Sequence, residues 1–136
     1  MKFFFTILSM CTIFSSFGAY KVIGNDLDAV ICNAMKGMQA QEEKKIPYNI
    51  GDFELIGIIV DCKKKALITE KKHIQYSLSD FSEDFKINAT KNWKNANCKN
   101  MIFNTNTGWS TTQIIRDTNK KVVLKLEANF EICSNK

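Results

Sequence analysis

From Lys121 to Cys133 the chain alternates, with Val122, Leu124, Leu126, Ala128, Phe130 and Ile132 on one side and Val123, Lys125, Glu127, Asn129 and Glu131 on the other. Successive side chains of a strand point to opposite faces of a sheet, so this stretch predicts a strand with one buried face. Trp109 to Arg116 predicts a second strand. Asp117-Thr118-Asn119-Lys120 between them has turn chemistry, because Asn and Asp tolerate left-handed backbone and bond their own chain. The chain is therefore expected to close in a hairpin whose apolar side needs a cover.

Two stretches with helical spacing are expected to supply that cover. In the first, Asn25 can cap the start with Asp28 in the opening turn, and Leu27, Val30, Ile31, Ala34, Met35 and Met38 form an apolar stripe. Glu42-Glu43-Lys44-Lys45 is expected to be a solvated last turn, stopping before Ile46-Pro47 because a residue before proline disfavours helix. In the second, Asp80 or Ser82 opens a helix whose stripe is Phe81, Phe85, Ala89, Trp93 and Ala96, with its end near Cys98.

Between them, Asp52 to Cys62 carries Phe53, Leu55, Ile56, Ile58, Ile59 and Val60, apolar on both faces, and predicts a central strand. Glu70-Lys71-Lys72 has the composition of a turn, and the alternation of Ile74, Tyr76 and Leu78 predicts a strand over about 72–79. Residues 65–69 either extend the first of these strands or begin the second. Residues 99–108 form a polar connection that holds Met101, Ile102 and Phe103. The order is α-β-β-α-β-β, two like halves, and predicts an α+β fold: a four-stranded antiparallel sheet with two helices on one face.

The first residues change the setting. Lys2, then Phe3 to Leu8 and Met10 to Phe14, then Ser15, Ser16, Gly18 and Ala19 describe a secretory signal peptide over residues 1–18, cleaved after Gly18 or, alternatively, after Ala19. The run is shorter than the roughly 20 residues that span a bilayer. Lipidation at Cys11 is disfavoured, because Met10 is a poor residue before a lipidated cysteine and the apolar run continues past it. Residues 19–136 then make one domain, too short for two, in a bacterial periplasm or secreted.

The formal charge is +5, but the lysines at 63–65, 71–72 and 120–121 are short clusters near predicted turns and read as solvated loops. No nucleic-acid motif occurs. Cys32, Cys62, Cys98 and Cys133 are an even set, and four cysteines allow three pairings. Two disulfides, each stabilising by about 2–4 kcal/mol, suit a small exported domain. The economical pairing ties a helix to a strand within each half, Cys32 with Cys62 and Cys98 with Cys133, and crossed pairings stay open. No Cys-x-x-Cys spacing is present, so neither a metal site nor another cofactor is expected.

Catalytic chemistry finds few residues. His73 is the only histidine and lies among lysines, where a surface position is expected; Asp80, Glu83 and Asp84 share one solvated helix start rather than facing across a cleft. The chain is expected to bind rather than to catalyse. A sheet covered on one side leaves its other face for a protein partner, and Ile56, Ile58, Val60, Trp109, Ile115 and Val123 are candidates for it, rimmed by Lys125 and Glu127. A one-residue shift of register exchanges the sets.

Residues from about Pro47 to Cys133 resemble the small periplasmic domains of AspS-type pilotins of type II secretion. The resemblance lies in a helix closing into Ile46-Pro47, a hairpin, a helix ending in Cys98, and Gly108-Trp109 running through Arg116-Asp117 to Cys133. It implies a bond between Cys98 and Cys133, and a partner that is the short helical tail of a secretin. The chain departs from that family in having no convincing lipidation cysteine and in adding Cys32 and Cys62. The alternative class is a periplasmic immunity or superinfection-exclusion protein that inhibits a toxin or phage enzyme, for which Lys63-Lys64-Lys65 would serve as a charged loop.

Overall fold

Two acidic residues, Asp26 and Asp28, sit in the first turn of α1 (Asn25–Glu43), where negative charge favours the helix start. The computed structural model describes residues 25–135, so the expected leader at 1–18, its cleavage after Gly18 and Cys11 lie outside the described residues. After α1 come β1 (Tyr48–Ile50), β2 (Phe53–Asp61), β3 (Ala66–His73), a 3₁₀ turn (Leu78–Asp80) and α2 (Glu83–Asn97). The chain continues through α3 (Met101–Asn104), β4 (Ser110–Arg116), β5 (Val122–Ala128) and α4 (Phe130–Ser134).

The fold is α+β with two disulfides, but the sheet has five strands rather than four, in spatial order β1-β2-β3-β4-β5. Nor is it antiparallel throughout. β3 and β4 run parallel, from Ala66 beside Ser110 to Lys72 beside Arg116, because α2 and α3 carry the chain back to the same end before β4 begins. The second strand lies at 66–73, not 72–79: Glu70, Lys71 and Lys72 are strand residues, and Ile74 and Tyr76 follow it in a loop.

Both long helices cover one face. Ile31, Met35 and Met38 of α1 pack with Ile58, Val60, Leu67, Ile102, Phe103 and Trp109. Trp93 of α2 packs with Ile115, Leu126 and Ala128. The connection at 99–108 turns inward at α3, where the Asn100 side chain accepts from the Ile102 N–H at 2.9 Å and seats Ile102 and Phe103 in the first core. Between the cores lie buried polar side chains, Thr69, Thr111, Gln113 and Asn97, with the Gln113 amide donating to Thr69 Oγ1 at 3.4 Å.

Ser82 caps α2 as the sequence indicates, its hydroxyl accepting from the Phe85 N–H at 3.1 Å. The last turn of α1 differs from expectation. Glu42 is 3% exposed and accepts from the Tyr48 hydroxyl at 2.7 Å, with Lys45 Nζ at 3.7 Å, so the supposed solvated turn is pinned to β1. At the closing end, the predicted strand through Cys133 stops at Ala128. Asn129 then accepts from the Ile132 N–H at 2.8 Å and starts α4.

The cysteines pair as Cys32–Cys62 and Cys98–Cys133. The first bond ties α1 to the end of β2, and the second ties the end of α2 to α4 rather than to a strand.

Candidate binding face

The face away from the helices is built by register. β2 contributes Asp61, Ile59, Gly57 and Glu54; β3 contributes Ala66, Ile68, Glu70 and Lys72; β4 contributes Ser110, Thr112, Ile114 and Arg116. Glu127 and Lys125 of β5 complete it opposite Thr112 and Ile114. Its apolar centre is Ile59, 52% exposed, directly beside half-buried Ile68, with Ile114 one step along.

Charges of both signs surround that centre. Lys72 Nζ lies 3.7 Å from Glu54, Arg116 Nε donates to Glu70 at 3.0 Å, and Lys125 Nζ is 3.8 Å from Glu127. The four carboxylates of this face, Glu54, Asp61, Glu70 and Glu127, outnumber its three cations, Lys72, Arg116 and Lys125, on a chain that is basic overall. Such a face suits a mixed apolar and charged partner surface better than a uniformly acidic one.

The residues proposed for this face divide between the two sides of the sheet. Ile58, Trp109 and Ile115 are at most 3% exposed and belong to the helix-covered cores, as does Val60. Val123 is half-buried against the second core, and Ile56 sits in a β-bulge between Leu55 and Gly57. The rim residues Lys125 and Glu127 stand on the open face as expected.

The bulge explains the exchange within β2. Inward positions are Phe53 and Leu55 before it and Ile58 and Val60 after it, so one extra residue reverses the phase and makes a one-faced strand look apolar on both faces. Ile59 escapes the sequence reading for that reason, and Ile68 because the second strand is expected at 72–79 rather than 66–73. Their signal was the alternation in β3, where Leu67, Thr69, Lys71 and His73 point inward.

His73 is therefore buried, not superficial. Its Nδ1 accepts from the backbone N–H groups of Gln75 at 3.0 Å and Tyr76 at 2.8 Å, which places the ring proton of the neutral imidazole on Nε2. The ring stacks on Tyr76 at 4.1 Å and meets Phe53 and Phe81 edge-on. Lys71 enters the same region, with Nζ 4.4 Å from the centre of the Phe53 ring; burial lowers its ammonium below the usual lysine range. The partners of His73 are thus backbone N–H groups and aromatic rings.

Asp80 belongs to the 3₁₀ turn, where the Ser77 N–H and hydroxyl hold its carboxyl below the usual range. Of the lysine loop between β2 and β3, Lys65 pairs with Asp28 at 3.0 Å, while Lys63 and Lys64 remain exposed. Among the described residues no cluster of three or more His, Cys, Asp or Glu could hold a metal, and no helix is long and apolar enough to cross a membrane.

No protein-family model matches the chain, and no curated protein matches it. Among solved structures, the fold is similar to that of a candidate secreted protein of Pseudomonas aeruginosa, with a TM-score of 0.57 at 14% identity over 78% of this chain and 95% of that one. At that identity the likeness concerns the fold. The two disulfides independently fit an oxidising compartment.

Proposed function

We propose that this is an exported, non-enzymatic binding protein of the periplasm, a pilotin-like adaptor that recognises an amphipathic segment of an envelope or secretion-system protein. The observation that carries this reading is the open sheet face. Ile59, Ile68 and Ile114 offer an apolar strip, and the flanking pairs Glu54–Lys72 and Glu70–Arg116 can set orientation by exchanging partners with charges on an incoming helix. No cofactor is required for such a role.

A photo-crosslinking residue at position 68, with a control at Lys91 on the exposed side of α2, tests it in the native host. Crosslinks from 68 and not from 91 to a secretin or other envelope channel are expected, and equal or absent crosslinks overturn the reading. Ile59→Asp changes an exposed side chain and should abolish the crosslink while leaving the fold intact.

The exposed pair Lys63 and Lys64 favours a second reading, a periplasmic immunity or superinfection-exclusion protein that blocks a toxin or phage enzyme. Crosslinks from position 64 to a hydrolase or phage protein, with loss of binding in Lys63→Glu/Lys64→Glu, would select it.

A further inference from the structure

β5 closes the sheet on the side opposite β1. Among the described residues its backbone hydrogen bonds run to β4, and its outer row of N–H and C=O groups has no backbone partner. Such a row is a template for another strand. The opposite edge differs, because β1 is three residues long and Gln39 of α1 accepts from the Val60 N–H at 3.2 Å just beyond it.

We propose that β5 pairs antiparallel with β5 of a second copy of this chain, about a twofold axis at Leu126. The side chains of the strand are self-complementary about that point. Lys125 then faces the partner's Glu127, and Glu127 faces the partner's Lys125. These side chains are 60% and 53% exposed and form an ion pair with each other at 3.8 Å in the single chain.

Centring the axis on Lys125 or on Glu127 instead sets like charges opposite each other, which disfavours those registers. The product is a closed pair with one ten-stranded sheet, the helices of both copies on one side and a continuous open face on the other.

Sedimentation equilibrium of the disulfide-bonded protein, from micromolar to millimolar concentration, tests the pairing. A monomer–dimer equilibrium that weakens with added salt is expected. Lys125→Glu and Glu127→Lys should each weaken self-association by about tenfold or more, because both cross-strand pairs become repulsive. An equimolar mixture of the two variants should associate as well as the wild type, since every acidic position then faces a basic one. A monomer throughout the range overturns the proposal, as does a dimer indifferent to the charge reversals or a mixture that fails to recover. Both substitutions fall on exposed side chains, and circular dichroism and an intact-mass check of both disulfides verify the fold. Crosslinking at position 68 and sedimentation report independently, so either expectation can fail without the other.

Discussion

The two disulfide-braced halves of the molecule are built to different depths. In the first, α1 buries Ile31, Met35 and Met38 against β2 and β3, and borrows Ile102, Phe103 and Trp109 from the second half of the chain. In the second, α2 buries Trp93 and Asn97, and the core around Ile115, Leu126 and Ala128 is small. Similar sequence patterns thus give unequal cores, because the connection at 99–108 folds into the first half rather than staying with its own. The thinner half depends more on its covalent tie.

Truncating one tryptophan in each core breaks the comparison most directly. Trp109→Ala should cost about 5 kcal/mol, the upper end for a buried aromatic residue, and Trp93→Ala about 3 kcal/mol, both measured by urea unfolding. Equal losses would mean that the two cores contribute alike.

Next come the disulfides, which close 30 and 35 residues, so that chain entropy predicts a loss of about 3.5–4 kcal/mol for each. Their local effects should differ. Replacing Cys98 and Cys133 by Ala should leave α4 and the end of α2 unprotected in hydrogen exchange, since α4 has no buried residue to hold it. Replacing Cys32 and Cys62 should leave α1 protected, because its apolar stripe remains packed.

An alkaline pH effect belongs to the first half. Burial, and then the hydrogen bond and charge of Glu42, raise the Tyr48 phenol well above the usual tyrosine range. The folded chain holds this proton more tightly than the unfolded one. Its stabilisation is complete below a pH of about 10 and is lost as pH rises towards the folded value. Tyr48→Phe should remove that alkaline decline and, by taking a donor from buried Glu42, lower stability at neutral pH by about 1.5–3 kcal/mol. Absorbance titration and urea unfolding at several pH values check both.

The smallest effect is expected at Lys71, between the two cores. Lys71→Met keeps the stem on Phe53 and removes the cost of burying the ammonium, so stability at neutral pH should rise by up to about 1 kcal/mol, as the lost cation–π contact offsets part of the gain. A decrease in thermal stability would show that the contact outweighs burial.

Much of this architecture was legible in the residues. The stripes of α1 and α2 and the β4–β5 hairpin with its turn follow from spacing and composition, whereas the cysteine count left three pairings open and the structure selects the consecutive one. β3 was displaced because its inward positions Thr69, Lys71 and His73 are polar, so the more apolar run Ile74, Tyr76 and Leu78 attracted the assignment. β1, three residues long, carries too little alternation to be seen. On β2 a bulge inverts the phase, and at the start of β5 a register shift opposite Ile115 and Arg116 leaves Val123 against the second core; side-chain type alone locates neither irregularity.

In this sheet the spatial order of the strands is the order of the chain, from β1 to β5. Each strand therefore adds beside one already made as synthesis proceeds, and no strand has to be inserted between earlier neighbours. The cysteines obey the same order, since each is bonded to its neighbour in the sequence, Cys32 to Cys62 and Cys98 to Cys133. An oxidant that joins neighbouring thiols as they emerge would produce the native bonds at once, and a disulfide isomerase would have nothing to correct.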